Sequence, residues 1–137
     1  MKKTAVLLLV SALLLTLLPS VSAAPEIGDA QRAVLARFCA EKAPEGSLLL
    51  QMSFAAALLN RMEDPRYPDT FSGNISAAGF SGAAVDPGQY RQSLWAVRCV
   101  LSGMDPTGGA LRWARKGSVE ASRMDVMLEA EGWCFGS

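Results

Sequence analysis

The chain has 137 residues, half of them hydrophobic, and its 13 basic side chains balance 13 acidic ones. This length suits one small domain, and the charge balance argues against nucleic-acid binding through a basic face. The sequence contains no histidine, which excludes Ser-His and Cys-His nucleophile pairs and the usual catalytic zinc sites. Any catalysis must therefore use carboxylates, hydroxyls, amides or the backbone.

The first 23 residues have the pattern of a secretory signal peptide. Two lysines precede an apolar run over residues 5–18, and a Pro19-Ser20 break separates that run from small residues ending at Ala23. The run is shorter than the about 20 residues that a membrane span needs, although an uncleaved anchor is the alternative. Cleavage after Ala23 removes two of the 13 basic residues and leaves 11, against 13 acidic ones.

The mature chain is predicted to begin with an amphipathic surface helix. Asp29 is expected to cap it, and the helix extends from Ala30 to about Ala40. Leu35 and Phe38 fall on one face, as the helical period requires of residues that pack against a core.

A tight connection and a second helix are predicted next. Pro44 and Gly46 forbid a continued helix. Ser47 is expected to cap a helix from Leu48 to about Met62. That helix is apolar on nearly every side, so we expect it in the middle of the domain.

Residues 63–88 are rich in Pro, Gly, Asp, Asn and Ser, and their apolar residues do not recur with a helical or strand period. This composition predicts a long structured loop, and loops of such length are usually functional. Asp86 and Pro87 then supply the cap and the first-turn proline of a third helix, which Gly103 ends.

The last part of the chain is predicted to be mostly turns and strands. Residues 105–109 form a turn cluster, and residues 110–113 are a candidate short strand. Residues 119–135 fit either a helix or a hairpin. Cys39, Cys99 and Cys134 permit one disulfide with one free thiol, or three partly buried thiols.

Two glutamates, Glu41 and Glu45, flank the connection between the first two helices. The negative end of the first helix dipole favours the protonated, acid form of Glu41, whereas the positive end of the next helix favours an ionised Glu45. Two carboxylates whose environments differ in this way are typical of acid and base groups in glycoside hydrolysis, and also of solvated helix caps.

The order of several motifs resembles the SleB/CwlJ-type cell-wall hydrolases. Residues 41–45 resemble the glutamate turn of that family, and residues 55–61 resemble its "VA.VILNR" helix. Further blocks follow in the family's order, the most specific being the "G.DPTGGA" turn: residues 67–70, 79–81 and 101–111, with a looser match at 122–135. The resemblance covers residues 39–135.

The resemblance implies a compact, mainly helical α+β domain similar to lysozyme-like transglycosylases, with a small C-terminal β hairpin. The chain is thus expected to consist of a signal peptide over 1–23, an N-terminal helix over 24–38 and, as the resemblance implies, a catalytic domain over 39–137. The resemblance further implies an exported monomer that cleaves peptidoglycan glycan strands of the cell wall or spore cortex, without a metal or cofactor. Glu41 carries the family's general acid role, and the expected substrate contacts are Glu45, Asn60, Phe80, Ser81, Thr107, Gly108 and Gly109.

Several positions depart from the family pattern. Lys42-Ala43-Pro44 replaces the usual Ala-Arg-Gly, Ala78-Gly79 replaces a common glutamine, and a C-terminal histidine is absent. These departures keep a second hypothesis open, in which the protein is an inactive relative that binds wall glycan or a partner protein.

Overall fold

The computed structural model describes residues 25–137, so the predicted signal peptide lies outside the described residues. The domain is α+β and mainly helical, with a small C-terminal sheet, as the sequence predicts. Its elements in chain order are α1 Asp29–Lys42, α2 Leu48–Met62, α3 Phe71–Ala77, α4 Pro87–Leu101, β1 Arg112–Arg115, α5 Val119–Ser122, β2 Val126–Ala130 and β3 Trp133–Gly136.

Helix α2 lies at the centre of the domain. Every residue from Leu50 to Leu59 is buried, and α1, α3, α4 and β1 all pack against this helix. The prediction of a helix that is apolar on nearly every side is therefore confirmed. Because α2 is fixed on so many sides, it is the rigid element from which the surrounding turns are positioned.

Helix α1 begins one residue earlier than predicted. Gly28, and not Asp29, is the N-cap, and its main-chain N–H donates to the Gln31 side chain at 2.9 Å. Asp29 lies in the first turn, where the helix dipole still favours a carboxylate. Leu35 and Phe38 are fully buried, which confirms the predicted apolar face.

The prediction of one long structured loop over 63–88 was wrong in part, because the helix α3 lies within it. Its sequence is poor in strong helix formers, but Thr70 caps Gly73 and the Asn74 amide donates to two preceding carbonyls. Phe71 and Ile75, four residues apart, are buried in the core. Burial of this pair outweighs the weak local preference for a helix.

Helix α4 begins and ends as predicted. The Asp86 carboxylate accepts the Gln89 N–H at 3.0 Å, and Pro87 occupies the first turn. Gly103 follows the helix with φ +107°, a conformation that favours glycine. Within residues 25–137, no helix combines the length and the apolar character needed to cross a bilayer.

The C-terminal segment contains both alternatives left open by the sequence, the short helix α5 and a hairpin of β2 and β3. β3 lies between β1 and β2 in an antiparallel sheet. β1 begins two residues later than the predicted strand over 110–113. Both backbone groups of Ala110 already bond to other residues, its N–H to Thr107 at 3.0 Å and its carbonyl to Asn60 at 3.0 Å.

The three cysteines are free thiols in the structure, which corresponds to the second of the two alternatives. Cys39 is fully buried in α1, and this burial raises the pKa of its thiol far above the ordinary value. A buried neutral thiol is a poor nucleophile, so the packing of Cys39 is structural.

Candidate active site

Glu41 lies in the last turn of α1 and its side chain is half-buried. Ser81, forty residues away in the sequence, holds both carboxylate oxygens. Its main-chain N–H donates to Oε2 at 3.1 Å, and its hydroxyl donates to Oε1. The Ser81 hydroxyl also accepts the Ala83 N–H at 3.2 Å, which fixes its own orientation. These hydrogen bonds therefore fix the orientation of the Glu41 carboxylate.

Phe80 anchors Ser81 beside Glu41. Its ring packs edge-on against Phe38, one turn before Glu41 on α1, with ring centroids 6.4 Å apart. Phe38 in turn packs against Phe54 of α2 and Trp113 of β1, at 6.4 and 5.8 Å. Edge-to-face pairs of this kind contribute about 0.5–1.5 kcal/mol each. The predicted site residues Glu41, Phe80 and Ser81 thus share one rigid aromatic support.

The connection after Glu41 is held by a chain of glutamine amides. The Gln92 side-chain amide of α4 donates to the main-chain carbonyl of Gly46 at 2.8 Å and to the side-chain Oε1 of Gln51 at 3.0 Å. The Gln51 side-chain amide donates in turn to the Gln89 Oε1 at 3.0 Å. Gln51 is fully buried. A Cβ on Gly46 would lie 2.7 Å from the Ala43 Cβ, so the connection packs tightly here.

The far end of the same connection is tied to the β2–β3 turn. The Ser47 N–H and hydroxyl both donate to the Glu131 carboxylate, at 3.0 and 2.5 Å. Glu131 has φ +51° and is the one non-glycine residue with positive φ among residues 25–137. Such a conformation is costly for an ordinary side chain, and the two hydrogen bonds to Ser47 offset that cost.

An open cavity of about 400 Å³ adjoins the connection. Glu45, which is exposed, and Glu131 both line this cavity. On the β-sheet side, the Arg115 guanidinium lies 4.0 Å from the ring centre of Trp133. The cavity therefore combines an aromatic face, cations and carboxylates, which are groups suited to a polar ring such as a sugar. Its lining begins at Lys42, the residue after Glu41.

The Asp105 turn is a second, separate part of the predicted site. The Asp105 carboxylate accepts the Thr107 N–H at 2.8 Å, the Thr107 hydroxyl at 2.6 Å, the Gly109 N–H at 3.0 Å and the Asn60 amide at 3.0 Å. Burial alone would raise the pKa of Asp105, but these hydrogen bonds outweigh it and lower the pKa below its ordinary value. Asp105 therefore stays ionised and organises its own turn.

Asn60 and Thr107 direct their polar groups into this turn. Asn60 donates to Asp105 and Ala110, and the buried Thr107 hydroxyl bonds to Asp105 and Ala110. Gly108 and Gly109 are exposed and have positive φ, and both of their N–H groups donate to Asp105 within the turn. Substrate contact by these four residues stays a prediction, while the observed contacts of Asn60 and Thr107 are internal.

The structure does not gather all the predicted site residues at one point. Ser47 and Asn60 lie at opposite ends of α2, which at 1.5 Å per residue is about 22 Å long. At the Asn60 end, Arg61 donates to the Leu111 carbonyl at 2.6 Å and its guanidinium lies 4.0 Å from the Trp113 ring centre. An elongated polymer could contact both ends, whereas a small ligand could contact one.

The residues that position the connection carry no motif of their own. Gln51, Gln92 and Glu131 contact their partners only after folding, because those partners are 38 to 84 positions away. The one local signal was a glutamine, Gln51, within an otherwise apolar helix. No group of three or more His, Cys, Asp or Glu side chains in the described part of the chain could hold a metal ion.

Two solved structures have the same fold as this chain. The catalytic domain of the Bacillus cereus SleB protein is 21% identical with a TM-score of 0.65, and the alignment covers 87% of this chain and 99% of that one. The catalytic domain of the germination-specific lytic transglycosylase SleB from Bacillus anthracis is 20% identical with a TM-score of 0.66, covering 81% and 97%. No protein-family model and no curated protein matches the sequence. The predicted resemblance to SleB is thus confirmed at the level of the fold.

Proposed function

We propose that this protein is an exported enzyme that cleaves the glycan strands of peptidoglycan, with Glu41 as its general acid and base. The observation that carries the proposal is the half-buried Glu41 carboxylate, held at both oxygens by Ser81. The shared fold with SleB catalytic domains, one of them described as a lytic transglycosylase, supports the substrate class.

Glu41 suits the acid role better than the other well-ordered carboxylates. Asp105 accepts four hydrogen bonds and has a lowered pKa, so it is a poor proton donor. Glu131 uses both oxygens to hold Ser47. All the hydrogen bonds that Glu41 accepts from described residues come from Ser81. When Glu41 is protonated, its carboxyl O–H can donate to the Ser81 hydroxyl oxygen.

The proposed reaction needs one carboxyl group. Protonated Glu41 gives its proton to the glycosidic oxygen, and the bond from that oxygen to the sugar C1 breaks. The 6-hydroxyl oxygen of the same sugar then attacks C1, while the Glu41 carboxylate removes the proton of that hydroxyl. The product is an anhydro sugar, and Glu41 regains its proton. Water attacking C1 in place of the 6-hydroxyl would give a hydrolase with the same acid.

The cavity at the connection that follows Glu41 is proposed to bind sugars next to the cleaved bond, and Glu45 lines it. Phe80 and Ser81, which lie at Glu41, are proposed to contact the sugar that Glu41 protonates. The Asp105 turn at the other end of α2 would contact more distant sugars through Gly108 and Gly109, with Asn60 and Thr107 keeping its shape.

The proposal is tested by digesting purified vegetative and spore-cortex peptidoglycan and identifying the soluble fragments by mass spectrometry. We expect anhydro-ended fragments from the purified protein, and Glu41→Gln is expected to lower the rate at least about 100-fold, the usual contribution of general acid catalysis. Glu120→Gln, an exposed glutamate on α5, is the matched control and should retain activity. Hydrated sugar ends would identify a hydrolase.

The second hypothesis, an inactive glycan-binding relative, predicts a different result in the same assay. A folded protein that sediments with peptidoglycan but releases no fragment from either wall would support it and contradict the enzyme. The motif departures at residues 42–44 and 78–79 are the observations that favour it. Export is tested separately, by sequencing the N-terminus of the secreted protein, which should begin at Ala24.

A further inference from the structure

The outer face formed by α1 and α4 contains a second cavity, of about 310 Å³, whose residues take no part in the site described above. We call it the arginine face. Its lining consists of three arginines and three apolar side chains: Arg32, Arg91, Leu94, Trp95, Val97 and Arg98.

Positive charge is concentrated on this face although the chain as a whole is neutral. All three arginines are exposed, and neither of the two ion pairs found among residues 25–137 involves them. α4 itself contains no aspartate or glutamate between Pro87 and Leu101. Guanidinium groups without such partners are free to bind carboxylates in paired hydrogen bonds.

A large aromatic side chain lies among these arginines. Trp95 is 53% exposed, and the Arg98 guanidinium lies 5.7 Å from its ring centre. The neighbouring Leu94 is also exposed and lines the same cavity. Trp113 and Trp133 pack into the aromatic cluster, whereas Trp95 presents its ring to solvent. An indole beside guanidinium groups matches a ligand with both a sugar face and negative charge.

We infer that the arginine face is a second binding site, which holds the carboxylate-bearing strands of the wall polymer away from the point of cleavage. Arg91 and Arg98 are seven residues apart on α4, about two helical turns or 10 Å. That spacing suits successive carboxylates on an extended polymer, such as the peptide stems of peptidoglycan, better than one small anion. This inference rests on the proposed function for its ligand, and the site would retain the enzyme on the wall between cleavage events.

The test measures sedimentation with insoluble peptidoglycan in a Glu41→Gln background, so that binding is separated from cleavage. The double variant Arg91→Ala/Arg98→Ala is expected to bind at least about tenfold more weakly, since it loses two charge-assisted contacts. Arg66→Ala/Arg123→Ala removes the same charge from exposed positions elsewhere and should bind as the parent does. Equal weakening by both double variants would mean a general charge effect and would overturn the inference.

Two further measurements identify the ligand group. Trp95→Ala should also weaken binding, with only a small change in melting temperature because about half of the residue is exposed. Peptidoglycan whose carboxylates have been converted to amides should bind the parent as weakly as native peptidoglycan binds the Arg91/Arg98 variant. Full binding to the amidated polymer would contradict carboxylate recognition. If the arginine variants bind normally while the unmutated protein cleaves, this inference fails and the proposed function stands. If the unmutated protein cleaves nothing but the arginine variants lose binding, the arginine face is a binding site and the proposed enzymatic function fails.

Discussion

The two turns at the ends of α2 keep their shape in different ways. The Asp105 turn is nearly self-contained, because Asp105 bonds to residues two and four positions ahead and only Asn60 reaches it from elsewhere. The connection between α1 and α2 is held from outside, by Gln92 of α4 and by Glu131 of the β2–β3 turn. The turn that follows the proposed acid therefore depends on the assembly of the whole domain, while the Asp105 turn depends mainly on its local sequence.

The largest expected effect comes from crowding the connection itself. In Gly46→Ala the new Cβ would lie 2.7 Å from the Ala43 Cβ and 2.9 Å from the Leu50 Cδ2, so the backbone after Glu41 must shift. A misplacement of about 1 Å can cost about 100-fold in rate, and we expect a loss of that size in fragment release. Gly28→Ala meets nothing closer than 4.0 Å and serves as the control. Unchanged activity in Gly46→Ala would mean that Glu41 is positioned without this connection.

The next effect separates the two turns by stability. Asn60→Ala leaves the Ala110 carbonyl and one Asp105 oxygen without their amide donor, which should lower the free energy of unfolding by about 1–3 kcal/mol. Denaturant melts would measure this loss. Because Asn60 lies at the end of α2 away from Glu41, we expect the turnover rate at saturating peptidoglycan to change little. A fall in that rate as large as for Gly46→Ala would remove the distinction between the two ends.

A substitution at Glu131 tests the outside support without crowding. Asn tolerates positive φ better than Glu but is too short to reach Ser47, so Glu131→Asn loses both hydrogen bonds and relieves backbone strain. The free energy of unfolding should change by less than about 1 kcal/mol, while cleavage slows several-fold. Glu129→Asn, also exposed on the hairpin, should not slow cleavage. Identical rates for the two variants would show that Ser47 needs no anchor.

The smallest effect is a pH dependence. The folded pKa of Asp105 lies below its ordinary value of 3.8, so its stabilisation is fully present above that value and is lost as pH falls through the folded pKa. Asp105→Asn lacks this component, and its stability should fall less steeply below pH 3.8 than that of the unmutated protein. Urea melts between pH 6 and pH 3 would measure the difference, with exposed Asp69→Asn as the comparison. Parallel curves for all three proteins would contradict the role given to Asp105.

The elements that the sequence predicts well are those with local causes. Ser47 and Asp86 cap α2 and α4 through residues three positions ahead, and Gly103 ends α4 by its own conformation. α3 is harder to predict because its stability comes from burying Phe71 and Ile75 against distant helices. The same limit applies to the site. The sequence and the family resemblance indicate Glu41 and Ser81, but their contact spans forty positions and exists only in the folded chain.

The order of strands in the sheet constrains how the chain acquires its structure as it is synthesised. β3 is last in the chain yet lies between β1 and β2. During vectorial synthesis, β1 and β2 therefore emerge with their neighbouring edges unpaired until Trp133–Gly136 follow. Glu131 lies just before that strand, so Ser47 acquires its anchor at the same late step. A nascent chain would thus hold the connection that follows the proposed acid only loosely until the sheet closes.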